Sequence, residues 1–155
     1  MKNLNFNVAI CKSFDDETKT ATEFVNEIKV QNNKANITFF CMISGCGESK
    51  QMQFDFVLIA IDVEHKEYNQ KGSYLFSLTM KREEVDSKEH LKSIMGSNAF
   101  QEIGAYSREV KFPGKGYYEL AVYLVTEKNK EEMDRMKIYA EEGTSPIATY
   151  AFRAC

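Results

Sequence analysis

The residue with the clearest potential for chemistry is Cys46, in the glycine-rich segment SGCGESK of residues 44–50. A thiol at the tip of such a turn is exposed, and the nearby Lys50 would lower its pKa. Nucleophilic catalysis also requires a general base next to the thiol. The chain has two histidines, and His65 is expected near the far end of the strand that leaves this turn. Cys46 is therefore a reactive-thiol candidate, and no catalytic residue is assigned.

The same segment does not form a phosphate-binding loop. A P-loop needs a glycine directly before its lysine and a serine or threonine directly after it. Here Lys50 stands between Ser49 and Gln51. The segment instead predicts a glycine-rich turn.

Metal-ligating patterns are also missing from the sequence. Cys41 and Cys46 have no second cysteine pair that would complete a zinc site. The acidic runs at 15–17 and 131–134 lack the alternating oxygen ligands of a calcium loop. We expect no metal and no cofactor.

Two tyrosines are the candidate binding residues. A strand predicted over 117–125 places Tyr117 and Tyr123 on the face opposite Tyr118 and Leu124. Exposed tyrosines are favoured at protein interfaces and sugar sites, because they offer a large contact area at a small cost in entropy. The alternative is that another strand, or the charged segment 127–135, covers this face.

Composition and charge exclude some partners. The chain of 155 residues carries a net charge of −3, from 20 basic and 23 acidic residues. Nucleic-acid binders usually show a basic excess, so we expect no nucleic-acid partner. The sequence has no apolar run of the ~18 residues that cross a membrane, which predicts no membrane partner.

Localisation is predicted from the N-terminus and the cysteines. Residues 1–7 alternate polar and apolar side chains, whereas a signal peptide needs a continuous apolar stretch. We therefore expect a cytoplasmic protein, with a secreted mature form as the alternative. The cysteines are then free thiols in a reducing compartment. They are Cys11, Cys41, Cys46 and Cys155.

Most of the sequence shows the two-residue period of β-strands. The predicted strands are 4–11, 35–43, 51–63, 73–80, 117–125 and 147–155. The second and third of these are expected to pair as a hairpin across the glycine-rich turn. Segment 100–111 is a loop or short strand, 23–30 fits a helix or a strand, and 86–96 predicts a short helix begun by Asp86.

The strand over 51–63 is apolar on both faces between residues 54 and 61. Such a strand is central in its sheet, or is covered on its second side by a loop, a helix or a partner chain. If nothing in the chain covers the second face, the protein is an oligomer.

The whole pattern indicates a single all-β domain over residues 1–155. Several short strands with turn residues between them predict a β-sandwich or barrel, and the helices of a parallel α/β fold are missing. No linker or internal repeat divides the chain.

Two segments carry a resemblance to a known family. Residues 113–122 (PGKGYYELAV) resemble the entry to a late strand of immunoglobulin-like sandwiches, where a Pro-Gly turn precedes a Tyr-led strand. Residues 147–152 (IATYAF) resemble the final strand of such a sandwich. Together they are similar to small bacterial and phage immunoglobulin-like proteins of unknown function. The resemblance implies an immunoglobulin-like antiparallel β-sandwich, here with one short helical insertion.

The sequence thus favours a non-enzymatic binding or assembly module. It would dock on another protein, on its own copies or on a glycan. Two alternatives remain. One is a cysteine-dependent enzyme or redox protein that uses Cys46, and the other is a small ligand-carrying β-barrel whose Phe-rich faces line a cavity.

Overall fold

The alternating apolar residues of the sequence become the inner faces of two β-sheets. The computed structural model describes residues 4–46, 51–63, 73–81, 99–125 and 145–155. These ranges contain nine strands: β1 (Asn5–Asp15), β2 (Thr20–Phe24), β3 (Glu27–Ile28), β4 (Lys34–Cys46), β5 (Gln51–Val63), β6 (Ser73–Lys81), β7 (Ala99–Lys111), β8 (Gly116–Val125) and β9 (Ala148–Ala154). The prediction of an all-β sandwich is confirmed.

The first sheet has the strand order β2-β1-β4-β7, and the second has the order β3-β9-β8-β5-β6. All pairings between named strands are antiparallel except that of β3 with β9, which is parallel. Because β8 lies between β5 and β9, its backbone is hydrogen-bonded on both sides. The predicted helical insertion over 86–96 lies outside the described residues.

The core between the sheets is rich in phenylalanine rings. Phe39 of the first sheet lies 5.4 Å from Phe76 of the second, and Phe6 lies 4.9 Å from Phe54, between ring centroids. Within the second sheet, Phe56 stacks on Phe76 at 4.3 Å. Aromatic pairs at these distances stabilise a core by about 0.5–1.5 kcal/mol beyond the burial of their surface.

The second apolar face of β5 is buried within a single chain at Val57, whereas Ile61 near the end of the strand is 48% exposed. Val57 is 0% exposed and forms a cluster with Ala121 and Tyr123 of β8, against which Ile59 and Val125 pack. The prediction that β5 is apolar on both faces is confirmed. Since Val57 is already covered, burial of this face does not require a second copy of the chain.

Residues 31–34 form a tight β-turn. Asn32 and Asn33 have φ values of 53° and 59°, and Gln31 pairs with Lys34 across them. Two consecutive residues with positive φ are the requirement of a type I′ turn, which asparagine tolerates better than most residues.

The hairpin predicted between the second and third strands, 35–43 and 51–63, is wrong. β4 pairs with β1 and β7, whereas β5 pairs with β6 and β8 in the other sheet. A glycine-rich connection fits a hairpin turn and a crossing between sheets equally well, so its composition could not decide between them. β4 also extends to Cys46, three residues beyond its predicted end at Ile43.

The segment over 100–111 is a full strand of 13 residues, not a loop or a short strand. β7 pairs with β4 along its whole length, yet its inward positions include Gly104 and Arg108 instead of large apolar residues. The Arg108 guanidinium lies over the Phe76 ring at 4.8 Å. At this rim of the sandwich, Arg108 and Gly104 occupy inward positions. The sequence of β7 therefore lacks the alternation of apolar and polar residues that would have predicted a full strand.

The thiol of Cys41 lies on the inner face of β4. The residue is 1% exposed, and burial raises the pKa of its thiol to about 12, with a smaller contribution from Cys11. An unfolded chain exposes this thiol to water, where its pKa falls to the ordinary value of 9.0. This difference in pKa between the folded and unfolded states makes the free energy of unfolding depend on pH in the alkaline range.

We predict that the free energy of unfolding falls from about pH 9 to about pH 12, because only the unfolded chain ionises Cys41 in this range. A shift of this size corresponds to at most about 4 kcal/mol. Urea unfolding of the protein and of Cys41→Ala, followed from about pH 8 to about pH 11, checks this. The variant loses less stability over the range, and parallel curves would contradict the assignment.

Candidate functional site

The turn between β7 and β8 determines where Tyr117 points. The hydroxyl of Tyr118, which is fully buried, donates a hydrogen bond to the Gly114 carbonyl and accepts one from the Gly114 amide at 3.3 Å. The Tyr118 ring also packs against Phe112 and Phe152, at 5.1 and 5.9 Å. Because successive side chains of a strand alternate between faces, Tyr117 must point outward when Tyr118 points inward.

Gly116 lets β5 approach this turn. Its φ is +145°, and a Cβ at this position would lie 2.1 Å from the Asp62 carbonyl oxygen and 2.8 Å from Cα of Val63. The pairing of β5 with β8 also shifts register between Ala60 and Asp62. The glycine and the bulge together bring Asp62 opposite Tyr117.

A row of four side chains crosses the outer side of the second sheet. Tyr117 on β8 is in register with Asp62 on β5 and with Arg153 on β9, and Arg153 is in register with Glu27 on β3. The Arg153 guanidinium carbon lies 5.8 Å from the Tyr117 ring centroid, and its Nη1 lies 3.9 Å from Oε1 of Glu27. Tyr117 remains 52% exposed.

This row borders a cleft of about 350 Å³, which we call the Tyr117 cleft. It is lined by Asp62, Lys115, Gly116, Tyr117, Arg153, Ala154 and Cys155. The volume is at the lower end of the range for ligand pockets. The Cys155 thiol lies 3.6 Å from the Ile28 carbonyl oxygen, to which it donates. Among these lining residues, Tyr117 offers an exposed ring, and Asp62, Lys115 and Arg153 offer charged groups, which is an arrangement suited to binding.

The second predicted binding residue, Tyr123, is buried. It is 2% exposed in the cluster with Val57, and burial raises the pKa of its phenol, with a smaller contribution from Glu119. Tyr117 and Tyr123 lie on the same face, as predicted, but only Tyr117 is accessible to a ligand. The predicted alternative, in which other parts of the chain cover the face that carries both tyrosines, is therefore correct at Tyr123 and wrong at Tyr117.

The reactive-thiol hypothesis for Cys46 stays a prediction. Cys46 is the last residue of β4, with its backbone in register with Ala99 of β7. Its side chain, Lys50 and His65 lie outside the described part of the structure. The other three cysteines, Cys11, Cys41 and Cys155, are free thiols as expected.

Sequence reasoning did not single out Asp55, which is buried on the outer side of β5. It is 2% exposed and accepts hydrogen bonds from Ser77 Oγ and, at 3.3 Å, from Gln53 Nε2. Ser77 Oγ is also 3.0 Å from the Tyr74 hydroxyl. A buried carboxylate is costly unless hydrogen bonds satisfy it, so we assign this network a structural role. The position of Asp55 between the apolar residues Phe54 and Phe56 is the feature of the sequence that could have indicated a buried carboxylate.

An exposed group of aromatic rings on the first sheet was also missed. Phe24 is 58% exposed, and its ring centroid lies 5.5 Å from that of Phe40, which lies 6.0 Å from that of Phe14. We call these three residues the aromatic face. Phe14 and Phe24 stand in polar segments of the sequence, where a lone phenylalanine carries no periodic signal.

A second cleft, of about 390 Å³, lies beside the Asn32–Asn33 turn. It is lined by Lys29, Gln31, Asn32, Lys34, Ala35, Asn36 and Glu109. None of these offers an aromatic surface.

Within the ranges that the structure describes, no three His, Cys, Asp or Glu residues group as metal ligands, and no helix is long and apolar enough to span a membrane.

Comparisons with known proteins give limited likeness. No model of a protein family matches the chain, and no curated protein matches it. The chain is similar to two structures of a bacterial adhesin from Mobiluncus mulieris that contains intramolecular disulfide, isopeptide and ester bond cross-links. The TM-scores are 0.44 and 0.40, with 15% and 14% identity over 97% and 94% of this chain. The chain spans 57% and 52% of the adhesin chains.

The close approach at Gly116 predicts that Gly116→Ala destabilises the protein by about 3 kcal/mol or more, since the methyl group would collide with backbone atoms of β5. The matched control is Gly104→Ala, where the nearest atom to an added Cβ is the Tyr106 hydroxyl at 3.5 Å. Urea unfolding of both variants measures the difference. Equal stability of the two would contradict the steric role of Gly116.

Proposed function

We propose that this chain is a non-catalytic binding module with an immunoglobulin-like strand arrangement, whose ligand binds in the Tyr117 cleft. The observation that carries the proposal is a half-exposed aromatic ring on a turn that buried contacts hold in place. A rigid support keeps the entropic cost of binding low, because the contact surface is already ordered before the ligand arrives.

The strand order supports the immunoglobulin-like assignment. Immunoglobulin sandwiches place strands A, B and E in one sheet and strands G, F and C in the other, with C′ added in the variable type. If β1, β4 and β7 are A, B and E, then β9, β8, β5 and β6 follow as G, F, C and C′. The Tyr118 hydrogen bond to Gly114 lies at the start of the strand that corresponds to F, where such sandwiches carry a tyrosine corner.

Chemical-shift perturbation of the ¹⁵N-labelled protein tests the binding function. Small ligands of several classes are added in turn: oligosaccharides, short peptides and nucleotides. We expect at least one class to shift the amides of Lys115, Tyr117 and Arg153 and to be recovered chemically unchanged. Tyr117→Ala removes the shifts, because the ring supplies the main contact area.

The matched control is Tyr74→Ala, which removes another exposed tyrosine of the second sheet. Tyr74 is 40% exposed and is in register with Val57, away from the cleft. Shifts that survive Tyr117→Ala, or shifts confined to residues outside the cleft, would contradict the proposal.

A second candidate function, assembly of copies of this chain, is favoured by the aromatic face. Phe24 exposes more than half of its surface in contact with a further ring. Beside it, Lys12 Nζ and Glu23 Oε2 form an exposed ion pair at 3.4 Å. A surface that carries both charges next to an apolar centre complements its own copy under two-fold symmetry, the commonest symmetry of oligomers.

Sedimentation velocity over a range of concentrations tests the assembly function. We expect reversible dimers that Phe24→Thr converts to monomers, while the unfolding free energy changes by less than about 1 kcal/mol because the ring is mostly exposed. Tyr74→Ala leaves the association unchanged. A protein that is monomeric at every concentration would contradict assembly through this face.

A further inference from the structure

The residues around Tyr117 also restrict the chemistry of the ligand, and this inference rests on the binding function proposed above. Four charged side chains belong to the row and the cleft. Lys115 and Arg153 are positive, whereas Asp62 and Glu27 are negative. Since the charges balance, the site has little net potential with which to select an anion or a cation. A neutral ligand meets this condition best.

The hydrogen-bonding groups of the cleft point to hydroxyl groups on the ligand. The Asp62 carboxylate only accepts hydrogen bonds, whereas the Lys115 ammonium and the Arg153 guanidinium only donate them. A ligand must therefore present donors and acceptors along the same edge. A hydroxyl group does both, so a polyhydroxylated molecule can satisfy all three side chains.

The Tyr117 ring adds a flat apolar surface between these polar groups. Arg153 lies 5.8 Å from the ring centroid on one side, and Asp62 is in register on the other. A sugar ring has the matching shape, because its C–H bonds form a flat apolar face and its hydroxyl groups surround the edge. The cleft of about 350 Å³ has room for a small ligand of this size.

A peptide is disfavoured by the position of Tyr117 in the sheet. Peptides commonly bind sandwiches by adding a strand to a sheet edge, where backbone groups are free to pair. The backbone of β8 is already paired with β5 and β9 at this level. The backbone groups of a peptide in the Tyr117 cleft would therefore have no strand partner on β8, whereas a sugar does not need one.

We propose that the Tyr117 cleft binds a neutral sugar unit of an oligosaccharide. The C–H face of the sugar stacks on the Tyr117 ring, and its hydroxyl groups bond to Asp62, Lys115 and Arg153. The exposure of Tyr117 and Arg153 leaves the neighbouring units of the oligosaccharide in solvent. Binding through one aromatic ring is weak, with a Kd on the order of 1 mM.

The test is an NMR titration of the ¹⁵N-labelled protein with two neutral glucose chains, maltotetraose, which is α-linked, and cellotetraose, which is β-linked. At least one of them is expected to shift the amides of Tyr117 and Arg153 with saturation. Tyr117→Ala weakens this binding by at least about tenfold, since it removes the stacking surface. Tyr117→Phe keeps the ring and changes the Kd by less than about threefold. Tyr74→Ala is the control.

Tetragalacturonate and tetra-alanine are titrated in parallel to separate the two proposals. The neutral chain is expected to bind at least about fivefold more tightly than the uronate, because the uronate must desolvate its carboxylates and the cleft has no net positive charge to offset that cost. Tighter binding of the uronate, or binding of the peptide alone at Tyr117, overturns the sugar proposal and leaves the binding function standing. If no ligand of any class shifts the cleft amides, both proposals fail.

Discussion

Contact between phenylalanine rings across the sandwich is the interaction on which the rest of this structure depends. The three cysteines whose side chains are described are free, so no bond among them joins the sheets. Phe39 packs on Phe76 and Phe6 on Phe54 instead, and each joins one sheet to the other. Burying one such side chain stabilises the fold by about 1.5–3 kcal/mol. Because the inner faces already hold the fold together, the outer faces are available for the candidate binding residues.

The same constraint positions the candidate site. Tyr118 is a core residue through Phe112 and Phe152, and a turn residue through its hydrogen bond to Gly114. One buried side chain thus connects the hydrophobic core to the geometry of the surface. Because successive side chains of a strand point to opposite faces, the inward position of Tyr118 fixes the outward direction of its neighbour Tyr117. Stability and the proposed recognition therefore depend on one short segment of sequence, and a substitution in the turn is expected to affect both.

The sequence predicts strands well where one face is strongly apolar. β5 has its predicted limits, and β6 and β8 differ from theirs by one residue, because alternating Phe, Leu and Val side chains mark a buried face. The segment of β7 was predicted only as a loop or a short strand, because Gly104 and Arg108 occupy inward positions at the rim. Tyr117 was predicted from the same periodicity, whereas its partners Asp62 and Arg153 lie 55 and 36 residues away along the chain. Only the register of the sheet reveals that they meet.

The parallel pairing of β3 with β9 has a consequence for the order in which the chain folds. Tyr150 donates to the Val25 carbonyl 125 positions earlier, and the Arg153 amide donates to the Asn26 carbonyl. Contacts this distant in sequence slow the search for the native topology, because a long loop must close before they form. On a ribosome, β3 has no partner strand until residues 148–154 have emerged. The second sheet is therefore completed only after β9 has emerged, and a chain stopped before β9 would leave the edge of β8 open to other molecules.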